Sequence, residues 1–126
     1  MFTENRANSV PEDVFTEKEA EFLADNFLGR LATVSGLRQP HVVPVAYRFD
    51  GSSIFFGGWN IEKTLYFRNL SSNTRVGFVV DQVVSLNPWR VKGVEVRGDA
   101  MPERRDHDGT IVRIRADSVR SWGLGD

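Results

Sequence analysis

The sequence predicts a mainly β fold: a barrel of six antiparallel strands, with a short N-terminal helix and one helix inserted after the third strand. Three observations lead to this prediction. Runs of apolar residues with strand-like alternation fill most of the chain after Leu28. Turn signals such as Asp50-Gly51 separate these runs. The alternation is replaced by a helical pattern only once within this region, at about residues 61–70.

The predicted elements follow one another without an internal repeat or linker. Residues 1–14 are polar and aperiodic, so we expect a flexible leader followed by a single domain at 15–126. The spacing of Thr16 and Glu19 matches a capping box, which predicts a helix beginning at Glu17. The full set is a helix at about 17–26, strands at about 29–35, 41–50 and 53–58, a helix at about 61–70, and strands at about 75–84, 91–101 and 110–117.

The second predicted strand, residues 41–50, is apolar on both faces. Apolar residues on both faces indicate a strand that is covered on both sides, here by the barrel interior and by a partner molecule outside. Pro44 cannot donate a ladder hydrogen bond and leaves backbone free for a ligand. The two faces consist of His41, Val43, Val45, Tyr47 and Phe49 on one side, and Val42, Pro44, Ala46 and Arg48 on the other.

Composition argues against several classes of function. The net charge of -1 gives no general attraction to nucleic acid or to an anionic membrane. No segment approaches the roughly 20 apolar residues of a membrane-spanning helix. The chain has no cysteine, which is consistent with the reducing cytoplasm and excludes disulfides and thiol nucleophiles. We expect a cytoplasmic protein that binds neither nucleic acid nor membrane.

Side chains typical of catalysis or metal binding are sparse. His41 and His107 are the only histidines, and neither has a metal-ligand residue three or four positions ahead. No G-x-S-x-G sequence provides a serine nucleophile. Glu95 and Asp99 alternate with basic residues, as in ordinary cross-strand ion pairing. We therefore predict no metal site and no catalytic acid or base.

The segment FGGWNIEKTLYFRNLSSNTR, residues 56–75, joins the third strand to the inserted helix. Gly57 and Gly58 permit a close approach of the backbone to a ligand. Asn60 is a suitable helix cap, which would leave N–H groups of the first turn available to an anion. This arrangement predicts an anion site at the start of the helix.

Three further side chains bear on that anion site. Lys63 lies near the helix N-terminus, where the helix dipole disfavours a cation unless an anion is bound. Thr64 and Arg68 are four residues apart and share a helix face, so Arg68 would extend the site. A capped amphipathic helix that only closes the barrel would explain the same pattern. The residues alone leave both interpretations open.

The order and spacing of these segments resemble the split-barrel flavin-binding family of the pyridoxamine 5'-phosphate oxidase type, particularly its deazaflavin (coenzyme F-420)-dependent oxidoreductases from actinobacteria. The resemblance covers the chain from Phe15 to Leu124 and implies a homodimer of six-stranded split barrels with cofactor sites at the subunit interface. It implies hydride transfer between the cofactor and a small conjugated substrate. The alternatives are an oxidoreductase of the same fold that uses FMN in place of deazaflavin, and a non-catalytic barrel that binds a cofactor. The matching segments are FLGRLATVS, QPHVVPVAYRFD, KTLYFRNLSSNTRVGFVVD, NPWRVKGVEVRGDA and RIRADSVRSWGL.

The resemblance also implies positions for the cofactor. Hydride transfer is the cofactor's chemistry, so no catalytic side chain is implied. Tyr66 stands where relatives often have a second cation, so we expect weaker phosphate binding and a lower cofactor affinity rather than a different fold. Thr74 stands where relatives often have proline, and we expect only a small local effect there. The implied contacts are Pro44, Val45 and Ala46 along the ring, Gly58, Trp59, Asn60, Lys63, Thr64 and Arg68 around the phosphate, and Trp89 from the partner subunit.

Overall fold

The computed structural model of the chain describes residues 14–105 and 109–125. These ranges contain two short α-helices and seven strands of one antiparallel sheet. The predicted leader, except Val14, lies outside the described residues. No helix within them is long and apolar enough to cross a membrane. The elements are α1 (Glu17–Ala24), β1 (Leu28–Val34), β2 (Pro40–Ala46), β3 (Arg48–Phe49), β4 (Ile54–Gly57), α2 (Leu65–Leu70), β5 (Arg75–Leu86), β6 (Trp89–Arg105) and β7 (Gly109–Trp122).

Helix α1 begins at the predicted capping box. The Thr16 hydroxyl accepts a hydrogen bond from the Glu19 N–H at 3.1 Å, and the Thr16 N–H donates to Glu19 Oε1 at 2.9 Å. The second oxygen of Glu19 accepts a hydrogen bond from the Ser121 hydroxyl at 2.6 Å. The same carboxylate therefore starts the helix and attaches it to the last strand.

The sheet has seven strands rather than the predicted six, in the order β2-β1-β5-β6-β7-β4-β3. The predicted second strand divides at Tyr47, because residues up to Ala46 pair with β1 whereas Arg48 and Phe49 pair with β4. Strands β2 and β3 lie at opposite edges of the sheet, yet a single residue joins them. The sheet must therefore curl until its two edges meet, which produces a half-barrel around the core.

Tyr47 is held at this junction from several directions. Its N–H donates to the Phe27 carbonyl at 3.0 Å, and its hydroxyl donates to the Leu23 carbonyl at 2.7 Å. Its ring makes an edge contact with Phe78, with centroids 5.4 Å apart. The Phe78 ring also lies against Gly29, where an added Cβ would come within 2.2 Å of ring carbon Cζ. The curl thus depends on an aromatic cluster that leaves no room for a side chain at Gly29.

The inserted segment is not the continuous helix predicted for residues 61–70. A 3-10 turn at Ile61–Lys63 is followed by Thr64 in an extended conformation, and α2 begins only at Leu65. The Thr64 hydroxyl caps α2 by accepting from the Phe67 N–H at 3.2 Å. The predicted cap, Asn60, has a positive φ of 62° and makes no capping hydrogen bond with its side chain. Threonine starts a new helix here because its hydroxyl competes for backbone groups.

Strands β5 and β6 extend well beyond their predicted ends. The predicted loop between them is a tight turn, with Leu86 paired with Trp89. Residues 82–92 make sheet pairs only with each other among the described residues, and we call this projection the β5–β6 arm. Its apolar side chains include Val83, Leu86 and Trp89, which are 57%, 76% and 64% exposed.

Candidate functional site

A cleft opens where β3 and β4 meet β6 and β7, on the face of the sheet opposite the core. Its volume of about 430 Å³ lies within the range of roughly 300 to 1,000 Å³ that is usual for small-molecule pockets. Phe56 is buried in the core, so alternation turns Phe55 and Gly57 toward the opposite face. The lining residues are Ala46, Tyr47, Arg48, Phe55, Phe56, Gly57, Gly58, Arg105 and Ile111.

Strand register brings the side chains of this face together. Arg48 of β3 lies directly opposite Phe55 of β4, and Phe55 lies opposite Arg113 of β7. Directly opposed residues of antiparallel strands share a face. The guanidinium carbon of Arg113 is 5.0 Å from the Phe55 ring centroid, and that of Arg105 is 5.8 Å from it. Phe55 is therefore an aromatic surface surrounded by three arginines.

Arg113 is fully engaged in a structural network. Its Nε donates to Glu103 at 2.9 Å, and its Nη1 donates to Asp50 at 3.0 Å and to the Ser53 hydroxyl. The hydrogen bond with Glu103 holds the pKa of the Arg113 guanidinium above its ordinary value and the pKa of the Glu103 carboxyl below its own. This network ties the β3–β4 turn to β6 and β7.

Asp50 anchors the turn end of the network. Its carboxylate accepts hydrogen bonds from the N–H groups of Ser52 and Ser53 at 3.0 and 2.8 Å. Burial alone would raise the pKa of the Asp50 carboxyl, but these bonds and the one from Arg113 lower it to about 2. The turn is therefore fixed by an ionised carboxylate beside the cleft.

Two predicted cofactor contacts come together in the cleft. Ala46, from the end of β2, and Gly58, from the end of β4, both line it although they are distant in sequence. A Cβ at Gly58 would meet no heavy atom within 4 Å, so its backbone faces open space. Pro44 is exposed on β2, whereas the Val45 side chain is buried in the core and leaves only its backbone for a ligand.

The other predicted contacts lie outside the cleft lining. Trp59 and Asn60 follow Gly58 directly and are exposed, the Trp59 side chain at 96%. Lys63 and Arg68 are exposed and form no ion pair with any described residue. The Thr64 hydroxyl is already used, since it donates to the Ile61 carbonyl at 2.7 Å as well as capping α2. The roles of these residues remain predictions.

Trp89 begins β6, the strand that ends at Arg105 beside the cleft. They are the first and last of the 17 residues of this strand, which span a path of roughly 50 Å at about 3.3 Å per residue. Within one chain, therefore, Trp89 and the cleft lie at opposite ends of the longest described strand.

Sequence reasoning missed several residues of the cleft, among them Arg48, Phe55 and Arg105. A signal for Arg48 existed, because it shares a strand face with Pro44 and Ala46. Arg105 was not predicted as a site residue because the fifth strand was expected to end near residue 101, whereas β6 continues to Arg105.

The cleft fits a flat, partly anionic organic group better than a metal. Small residues and aromatic rings line it, with arginines at its side. No group of three potential metal ligands occurs among the described residues. A flavin-type ring could lie against the backbone at Ala46 and Gly58, so the residues present are compatible with such a cofactor.

Comparison with known proteins agrees with this geometry. The family model described as pyridoxamine 5'-phosphate oxidase matches residues 15–123. A reductase of Streptomyces rimosus, named for 5a,11a-dehydrotetracycline and 5a,11a-dehydrooxytetracycline, is 37% identical over 119 residues, which cover 87% of this chain and 84% of that protein. The predicted family resemblance is confirmed.

Solved structures share the fold at lower identity. The protein Rv2991 of Mycobacterium tuberculosis superposes with a TM-score of 0.73 at 22% identity, covering 88% of this chain and 86% of its own. A protein of Mycobacterium smegmatis described as FAD-binding superposes with a TM-score of 0.67 at 18% identity, covering 85% and 92%. The predicted mainly β, split-barrel architecture is confirmed, with seven strands in place of six.

Proposed function

The chain belongs to the pyridoxamine 5'-phosphate oxidase family, and on this premise we propose that it is an oxidoreductase dependent on the deazaflavin coenzyme F-420. Its substrate would be a small conjugated organic molecule, in keeping with the reductase that is 37% identical. The observation that carries the proposal is the cleft, where the end of β2 and the glycines after β4 form one open surface.

The residues of this chain would bind and orient rather than react. When bound, the deazaflavin supplies the hydride chemistry. Backbone at Pro44, Val45 and Ala46 would support one side of the ring, and Gly58 would allow its close approach. Lys63 and Arg68 are unpaired within the described residues and would hold the phosphate by charge-assisted hydrogen bonds.

We further propose that the working form is a homodimer. The β5–β6 arm exposes Val83, Leu86 and Trp89, and these side chains would gain from burial against a second copy. Trp89 cannot line the cleft of its own subunit, because it starts the strand whose other end forms that cleft. In a dimer it would complete the site of the partner.

The direct test is the ligand of the protein purified from its native source. Mass spectrometry and absorbance are expected to identify a deazaflavin, which absorbs at shorter wavelength than FMN. A yellow protein with a flavin spectrum would assign the same barrel to FMN instead. Tight cofactor binding with no electron acceptor reduced in a broad panel would indicate a non-catalytic binding protein.

The phosphate assignment has its own test. Fluorescence titration with coenzyme F-420 should show Lys63→Ala weakening affinity by about tenfold, the loss expected for one charge-assisted hydrogen bond. Arg120→Ala, which removes an exposed cation from β7, is the matched control and should leave affinity unchanged. Equal affinities for Lys63→Ala and the control would show that Lys63 does not hold the phosphate.

A further inference from the structure

The three arginines around Phe55 have unequal partners. Arg113 has close hydrogen bonds with Glu103, Asp50 and Ser53 and is committed to the fold. Arg48 is exposed and forms no ion pair with any described residue. Its only defined neighbour across the strand is Phe55. Within the part of the chain that the structure describes, the Arg48 guanidinium therefore has no anionic partner at the side of the cleft.

Arg105 is intermediate between these two extremes. Its one ion pair is with Glu103, at 3.4 Å, and that carboxylate already accepts two hydrogen bonds from Arg113 at 2.9 and 3.3 Å. Its other donors have no hydrogen-bond partner among residues 14–105 and 109–125. Among the described residues, three arginines here face two carboxylates, so this part of the cluster has an excess positive charge although the whole chain has a net charge of -1.

We propose that Arg48 and Arg105 form an anion-binding subsite of the cleft, which takes the acidic group of a flat conjugated ligand. A guanidinium binds carboxylate, phosphate or enolate oxygens with paired donors, and Phe55 provides an aromatic surface beside them. The inference rests on the proposed function in one respect: the ligand is the substrate or the cofactor of that same cleft. It adds an anion contact on the strands to the phosphate site that we propose at the start of α2.

The test uses two fluorescent probes of similar shape and different charge. These are 1-anilinonaphthalene-8-sulfonate, an anion, and N-phenyl-1-naphthylamine, which is neutral. Arg48→Gln and Arg105→Gln should each weaken binding of the sulfonate about three- to tenfold, a range that allows for solvent screening of exposed charges. Both variants should leave the neutral probe within about twofold of wild type, since it makes no ionic contact.

Two controls separate charge at this position from general effects. Arg48→Lys keeps the charge without the planar donors and should recover part of the sulfonate affinity. Arg120→Gln removes a cation from another part of β7 and should change neither probe. The β5–β6 arm also offers apolar surface, so the measured quantity is the difference between variant and wild type. Unchanged sulfonate affinity in an Arg48→Gln/Arg105→Gln double variant would overturn the subsite.

A second experiment identifies the source of the anion. If the subsite binds the cofactor tail, Arg48→Gln weakens coenzyme F-420 but not the deazaflavin chromophore that lacks the tail. If it binds substrate, both deazaflavins keep their affinity, and KM rises for acidic substrates while neutral analogues are unaffected. Failure of wild type to bind any deazaflavin or flavin would refute the proposed function alone, because the probe titrations need no cofactor.

Discussion

Replacing Asp50 with asparagine should destabilise the protein at neutral pH and not at pH 2. The carboxyl pKa falls from its ordinary value of 3.8 to about 2 in the fold, which corresponds to at most about 2.5 kcal/mol. The side chain is 40% exposed, and solvent screening reduces the expected contribution to about 1 kcal/mol. Because the folded pKa is depressed, this stability is complete above about pH 4 and is lost as pH falls toward 2.

Urea denaturation at pH 7 and at pH 2 measures the effect. Asp50→Asn should lower the free energy of unfolding by about 1 kcal/mol at pH 7, and the two proteins should converge near pH 2. Asp25→Asn is the matched control, because Asp25 is exposed at the end of α1 and should change stability by less than about 0.5 kcal/mol. A difference between Asp50→Asn and wild type that is the same at both pH values would show that the carboxylate charge does not hold the turn.

Two further predictions concern the core and the arm. Gly29→Ala should lower the free energy of unfolding by about 1 to 3 kcal/mol, because the new methyl group would overlap the Phe78 ring. Thermal denaturation measures this change. An unchanged melting temperature would mean that the ring moves freely. Trp89→Ser should shift the protein from dimer to monomer in sedimentation velocity without lowering its far-ultraviolet dichroism, because Trp89 is 64% exposed in the single chain. A Trp89→Ser protein that stays dimeric at low micromolar concentration would exclude that contact.

Most strands could be predicted because their alternation is local in the sequence. The division of the second strand could not, since Val45, Tyr47 and Phe49 all face inward across it and the pattern continues without a break. What changes at Tyr47 is the hydrogen-bonding partner, from β1 to β4, and partner choice depends on how the whole sheet closes. Periodicity shows which side chains of a strand share a face, whereas the pairing of strands depends on the topology of the whole sheet.

For the candidate site, too, the sequence predicted the local features but not those that depend on the tertiary structure. The glycines at the end of β4 and the apolar second strand pointed to the cleft, because both signals are local. The helix start was mispredicted because Asn60 and Thr64 are both acceptable caps, and only the tertiary position of the segment selects Thr64. Arg105 required knowing that β6 continues past Pro102, which sequence rules treat as a strand terminator.

The single-residue junction at Tyr47 makes the core and the cleft interdependent. Val45 and Tyr47 point into the core while Ala46 and Arg48 face the cleft, so one alternating run serves both. Inserting or deleting one residue here would exchange the two sets, turning Arg48 inward and Phe49 outward. A residue could therefore not be added at this junction without turning the cleft-lining side chains away from the cleft. At this junction, ligand choice can therefore change through substitutions of Ala46 or Arg48, which keep the spacing of the chain, but not through insertions or deletions.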